Sequence, residues 1–270
     1  MKIDRKILYI IILAMTTTIA TASKKVTSMI KEENITYSVG STVMKGYIAY
    51  NENLKGKRPA VLIVHEWWGL NDYPKTRAKQ LAELGYIAMA VDMYGDGKIA
   101  TNPKEAQALA STFYSNPQLS KSRLDAALAE IKKHKQTDNQ NIFAIGYCFG
   151  GSVVLNSAKL GSELKGVVSF HGGLAGVPAN KKLLKAMILV CNGGNDKFVS
   201  ENDINTFKHQ LDSIGANYTF ITYPNATHAF TNPASTEVGK SFNMPIEYNK
   251  KADIDSWNDM LAFFKKTIKK

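Results

Sequence analysis

The sequence predicts an α/β fold, a doubly wound and mostly parallel sheet with helices on both faces. Three observations carry this expectation. Apolar, β-rich runs alternate along the chain with segments of helical period. Several runs, notably Val61-Leu62-Ile63-Val64 and Met187-Ile188-Leu189-Val190, are apolar throughout, as strands buried on both faces of a parallel sheet are. No internal repeat, low-complexity linker or composition shift divides the 270 residues, which therefore read as one domain.

Taken in order, the chain begins with Lys2, Arg5 and Lys6, an apolar run over 7–15, and small residues ending Ala20-Thr21-Ala22. A positive start, a short apolar stretch and an A-x-A site describe a secretory signal peptide over 1–22, cleaved after Ala22. The run is too short to span a bilayer, which takes about 20 residues, so no stable membrane anchor is expected after cleavage. The expected location is periplasmic or secreted. Residues 23–36 are polar and read as an N-terminal tether, and residues 37–270 form the folded domain. Strands are expected over 42–50, 60–64, 86–91, 141–145, 166–170, 186–191 and 218–223. Helices are expected over 73–84, 103–114, 120–134, 151–160, 201–213 and 254–268.

The 34 Lys+Arg against 23 Asp+Glu give a formal charge of +11, and removal of residues 1–22 leaves +9. Only Arg5, Arg58, Arg77 and Arg123 are arginine, and the lysines are scattered. Arginine is the residue that grips phosphate bidentately and reads guanine edges, so this balance describes a solvated surface and no nucleic-acid partner. Two cysteines, Cys148 and Cys191, exclude a disulfide scaffold and a C-x-x-C site.

In such a sheet, chemistry sits in loops beyond the carboxyl ends of the strands. Those loops hold His65-Glu66-Trp67-Trp68-Gly69, Asp92-Met93-Tyr94-Gly95, Gly146-Tyr147-Cys148-Phe149-Gly150-Gly151, Asn192-Gly193-Gly194-Asn195-Asp196 and Thr227-His228-Ala229-Phe230. The third is a nucleophile elbow, G-x-S-x-G with cysteine in place of serine, between a strand and a helix as that motif requires. The sharp turn strains Cys148, and the residues two before and two after it must lack side chains. The helix that follows points its free N–H groups and positive end at the sulfur. Asp196 and then His228 complete the order nucleophile–acid–histidine of α/β-hydrolase triads. His228 would take the thiol proton while Asp196 holds its tautomer. His65, His171 and His228 could share one face with Glu66, but no close-spaced ligand pair occurs, and neither a metal nor a cofactor is expected. Cys191 ends a strand near the Asp196 loop. It reads as strand filler, with a Cys148–Cys191 disulfide as the alternative in an oxidising compartment.

These five loop motifs, with Gly193–Val199 and His228-Ala229-Phe230, resemble the dienelactone hydrolase family of α/β-hydrolases, from about residue 42 to the C-terminus. The resemblance implies a single-domain α/β-hydrolase with Cys148, Asp196 and His228 as triad, and with Glu66 contacting the cysteine to help form thiolate. It also implies an oxyanion hole from the backbone N–H groups of Phe149 and Trp67, the first being where elbow geometry independently places a donor. Members that cleave dienelactone pair arginines with the substrate carboxylate. This sequence has no arginine between Arg77 and Arg123, and Asn232 stands four residues after His228 where the family arginine would be. Two lost charged partners, at roughly 1.5–3 kcal/mol per charged hydrogen bond, argue against an anionic substrate. The aromatics Trp68, Tyr94 and Phe230 are expected in an apolar pocket that takes a small neutral ester or lactone. The expected function is thus a secreted carboxylic ester hydrolase working through an acyl-thioester. The alternative is a non-catalytic binding protein that keeps the pocket.

Overall fold

The computed structural model describes residues 29–268. The signal-peptide segment 1–22 and the tether residues 23–28 lie outside the described residues. One sheet of eight strands organises the fold, in the order β1 (Ile30–Val39), β2 (Thr42–Asn51), β4 (Ile87–Val91), β3 (Arg58–Val64), β5 (Thr137–Tyr147), β6 (Gly166–Phe170), β7 (Met187–Gly193) and β8 (Tyr218–Tyr223). From β4 to β8 every pairing is parallel, whereas β1–β2 and β2–β4 are antiparallel. The expected mostly parallel sheet is therefore what the chain forms.

Helices cover both faces. On one lie α1 (Asp72–Glu83) and α7 (Lys250–Ile268), whose Ala78, Leu81, Met260 and Phe264 pack against Val61, Ile63, Phe143 and Ile145. On the other lie α2 (Pro103–Tyr114), α3 (Pro117–Ile131), α4 (Phe149–Lys159) and α5 (Glu201–Ser213), bringing Phe113, Leu124, Leu128, Val154 and Phe207 onto Leu62, Val64, Ala144 and Val190. The alternate residues of β3 thus feed opposite cores, and this double burial is why its sequence is apolar throughout.

Two elements depart from the sequence expectation. Residues 30–36, read as tether, belong to β1, which pairs with β2 over its whole length through the two-residue turn Gly40-Ser41. As an edge strand it buries only part of itself, and its Lys31, Glu32, Glu33 and Asn34 hide the alternation Ile35, Tyr37, Val39. The second is α6 (Ser235–Phe242), eight residues long and unexpected because Gly239 interrupts it. A Cβ at Gly239 would stand 2.5 Å from the carbonyl oxygen of Ile246, so the close approach excludes any other residue. Further shifts are at element ends: α3 begins at Pro117, capped by the Asn116 side chain, and α4 begins at Phe149.

Candidate active site

The elbow is built as its glycines require. Cys148 has φ 52° and ψ −113°, a strained conformation that lifts its side chain off the end of β5. A Cβ on Gly146 would lie 2.0 Å from the carbonyl oxygen of Gly150, and one on Gly150 would lie 2.3 Å from that of Val64. The Gly150 N–H donates to the His65 carbonyl at 3.1 Å, which ties the loop after β3 to the start of α4. The backbone of Glu66 and Trp67 therefore runs beside that of Cys148 and Phe149. The Cys148 N–H is shared between the Phe170 carbonyl, 3.0 Å, and His171 Nδ1, 3.1 Å.

From three separate loops, the fold brings Cys148, His228 and Asp196 into one hydrogen-bonded line. His228 Nε2 is 3.0 Å from Cys148 Sγ, and His228 Nδ1 is 2.8 Å from Asp196 Oδ2. Asp196 Oδ1 accepts the Phe198 N–H at 2.8 Å, which fixes the carboxylate's orientation. Burial opposes a charge on the His228 ring, yet the Cys148 sulfur and the Asp196 carboxylate outweigh it and raise the imidazole's proton affinity well above the ordinary value. The edge of the Phe198 ring, its centroid 4.9 Å from that of His228, covers one side of the imidazole.

Glu66 is buried and lines the same cavity as Cys148. Its Oε2 accepts from Asn232 Nδ2 at 2.6 Å. Burial pushes this carboxyl up to about 7, with the Asn232 hydrogen bond pulling against it. Asn232 thus occupies, as a neutral donor, the place from which a charged partner would hold Glu66 ionised.

The other two histidines of this end have their ring nitrogens engaged. His65 Nε2 accepts from the Met93 N–H, so Nδ1 carries the proton and donates to the Glu66 carbonyl. Burial lowers its pKa to about 4. His171 accepts at Nδ1 from Cys148 and donates from Nε2 to Thr231 Oγ1 at 2.8 Å, and Thr231 Oγ1 also accepts from Tyr73 at 2.7 Å. Burial, and then the charge that His228 carries when protonated, keep His171 neutral. His171 had no assigned role in the sequence beyond a ligand candidate. Its position directly after β6 is the signal that could have marked it, since that places it beside the elbow.

A cavity of about 490 Å³ opens over Cys148. Its walls include Trp67, Trp68, Tyr114, Phe198, Val238 and Ile246, and among the described residues no lysine or arginine lines it. Trp68 is thus among the residues at its wall. Tyr94 and Phe230 are not. Tyr94 is buried behind the site, its hydroxyl donating to the Trp67 carbonyl at 2.8 Å and its ring packed on His65 and Phe149. Phe230 turns fully into the core between His171 and Tyr223. Tyr114 and α6, which supplies Ser235 and Val238, lie far from the strand ends in sequence and were not expected in the lining. Arg77 is spent within the fold on Asp253, Tyr73 and the Thr231 carbonyl, and Arg123 contacts Thr42 and Met44. Both thiols are free, Cys148 half-buried and Cys191 buried.

A family model described as the dienelactone hydrolase family matches residues 44–268. Protein usf of Aquifex pyrophilus is 27% identical over 83% of this chain and 94% of its own. A relative in Aquifex aeolicus that carries a carboxymethylenebutenolidase name is 27% identical over 84% and 94%. Among solved structures, a dienelactone hydrolase-like promiscuous phosphotriesterase from metagenomic libraries superposes with a TM-score of 0.82 at 29% identity, over 88% of this chain and 98% of that one.

Proposed function

Because the chain belongs to the dienelactone hydrolase family and is an ester hydrolase, we propose that it cleaves a small uncharged ester or lactone through an acyl-thioester on Cys148. The observation that carries this reading is the unbroken line Cys148–His228–Asp196, at 3.0 and 2.8 Å, beneath a cavity that, among the described residues, no lysine or arginine lines. In the first half-reaction the Cys148 sulfur attacks the ester carbonyl carbon and its proton passes to His228 Nε2. Asp196 holds the imidazole with Nδ1 protonated and balances the imidazolium. The negative oxygen of the tetrahedral intermediate is held by the backbone N–H groups of Phe149 and Trp67. The first is a helix-start donor with no carbonyl partner inside α4. Collapse breaks the carbon–oxygen bond, and His228 returns its proton to the leaving alkoxide. Water, deprotonated by the same nitrogen, then adds to the thioester and releases the acid and the free thiol.

Substrate charge follows from the lining. A carboxylate buried here would meet Glu66 and no lysine or arginine, leaving a charge unpaired at a cost of several kcal/mol. Trp67, Trp68, Tyr114 and Phe198 offer apolar surface instead. The hydrolase is proposed to act in the periplasm or outside the cell after removal of residues 1–22. The test is turnover of p-nitrophenyl acetate and of matched esters with and without a carboxylate, wild type beside Cys148→Ala. Turnover lost in the variant and confined to neutral esters is the expected result. Wild-type turnover in Cys148→Ala, or preference for the anionic esters, overturns the proposal.

A further inference from the structure

The strand-entry end of the sheet, opposite the cavity, carries a pattern that ester hydrolysis does not use. The turn 52–57 joins β2 to β3 there, and residues 132–136 join α3 to β5. Lys57 Nζ donates to the Lys135 carbonyl at 2.9 Å, and Gln136 Nε2 donates to the Leu54 carbonyl at 2.7 Å, so the two connections form one surface. Lys55, Lys57, Lys133 and Lys135 are exposed on it, with Lys55, Lys133 and Lys135 edging a shallow depression that includes Tyr50, His134, Gln136 and one carboxylate, Glu52, which lies 4.0 Å from Lys31 Nζ. Lys133 pairs with Glu130 at 2.6 Å. Among the described residues no carboxylate lies within ion-pair distance of Lys55, Lys57 or Lys135. His134 senses the resulting field. Burial, and then the charges of Arg58, Lys57 and Lys31, lower its proton affinity against the pull of Glu33.

Two further features share this end. Leu54 and Leu84 are 39% and 52% exposed, and Leu54 Cδ1 lies 3.3 Å from where a Cβ on Gly85, the residue after Leu84, would stand. The described chain also starts here, for the Met29 carbonyl accepts the Glu52 N–H at 3.0 Å. The sequence leading to it carries Lys24 and Lys25. Among the described residues no helix is long and apolar enough to cross a membrane.

We infer that this end is a peripheral docking face for an anionic lipid surface. Lysines held near such a surface gain from its potential, and neighbouring exposed leucines gain by entering the headgroup layer. A nucleic acid fits the same observations less well. The arginine of this region, Arg58, is buried and committed to the Asn51 carbonyl and Gln136, and the leucines would have nothing to bind on a phosphate backbone. Docking by this end leaves the cavity, at the opposite strand ends, facing solution. The docking face shares none of the residues proposed for hydrolysis and stands or falls separately from them.

Sedimentation with vesicles tests it, comparing phosphatidylcholine alone with a mixture containing phosphatidylglycerol. Wild type and the combined variant K55Q/K57Q/K133Q/K135Q carry the same N-terminal sequence, so their difference reports the patch. Binding to the anionic vesicles is expected to exceed binding to the neutral ones and to vanish in about 0.5 M salt. It should fall about 100-fold in the variant, whose ester turnover stays unchanged and shows it is folded. A second variant, L54S/L84S, should weaken binding by a smaller factor. Equal binding to both vesicles, unchanged binding of the lysine variant, or binding to polyphosphate without binding to vesicles overturns the inference.

Discussion

The two thiols of this chain lie at the ends of strands two apart in the sheet, yet their surroundings differ in every respect that governs sulfur chemistry. Cys191 is fully enclosed in β7, its sulfur 3.6 Å from the Tyr223 hydroxyl, and burial pushes its thiol up to about 12. Cys148 sits past the end of β5 with positive φ, at the start of α4, half-exposed to a cavity and bonded to His228. The lesson is that reactivity comes from backbone placement before it comes from neighbours. A residue inside a strand that is buried on both faces cannot meet solvent or a base, whereas the strained turn after a strand hands both to its side chain.

Replacing the thiol that the elbow presents is expected to have the largest effect. Cys148→Ala should lose at least about 1000-fold in kcat on p-nitrophenyl acetate. Thiol counting separates the two sites in the same protein: under native conditions iodoacetamide should modify one cysteine in wild type and none in Cys148→Ala. Modification of Cys191 in the folded protein would erase the contrast.

Asp196→Asn leaves Cys148 in place but removes what orients its base. With an amide at that position, His228 loses the acceptor that keeps the proton on Nδ1, and Nε2 is no longer held free to accept from sulfur. Turnover should fall on the order of 10³-fold at constant KM, and native alkylation of Cys148 should slow toward the behaviour of Cys191. Unchanged alkylation would mean that the elbow activates the sulfur without the triad.

Burial acts on Glu66 as it acts on Cys191, by disfavouring the ionised form. The Glu66 carboxyl is raised to about 7 in the fold from its ordinary value of 4.5. Its contribution to stability is therefore complete below about 4.5 and is lost as pH rises through 7, when a buried charge must form beside a neutral Asn232. Glu66→Gln removes that penalty. Relative to wild type, the variant should gain up to about 3 kcal/mol more at pH 8 than at pH 4.5, because each tenfold rise in proton affinity is worth about 1.4 kcal/mol. Urea melts at the two pH values measure it, and a difference that does not depend on pH would show that Glu66 keeps an ordinary carboxyl. Asn232→Arg should restore a charged partner and lower the Glu66 pKa.

How legible these features were in the sequence follows from what each depends on. Cys148, Asp196 and His228 were legible because each falls in a loop just past a strand with a plain apolar signature, and the parallel sheet sends all such loops to one end. Trp68 was legible for the same reason. Tyr94 and Phe230 come from loops of that same end but turn inward. Whether a loop aromatic faces the cavity or the core is decided by its partners, here the Trp67 carbonyl for Tyr94 and the His171–Tyr223 gap for Phe230. Those partners are remote in sequence. β1 was hidden by the polar outer face of an edge strand, and α6, which helps wall the cavity, by its length and by Gly239. The absence of arginine from the cavity wall was foreshadowed by the scarcity of arginine in the sequence. The structure adds that Arg77 is already spent on Asp253 and Thr231 and that, among the described residues, neither lysine nor arginine lines the cavity.

The mildest test is the reciprocal one, on the thiol that the fold silences. Cys191→Ala deletes a single sulfur from a packed strand flanked by Val190 and Asn192, and the void it leaves is smaller than that of a lost leucine. The Tyr223 hydroxyl keeps its stronger partner, Asp259 Oδ2 at 2.7 Å, so no buried donor is orphaned. The cost should be about 1 kcal/mol, read as a small drop in the urea midpoint at constant slope. Turnover should stay within a factor of about two of wild type, because the Cys191 backbone carbonyl that accepts the His171 N–H at 2.8 Å is unaffected. A large loss of turnover with little loss of stability would mean that the Cys191 sulfur, through the strand end it shares with His171, helps hold the elbow on which Cys148 stands.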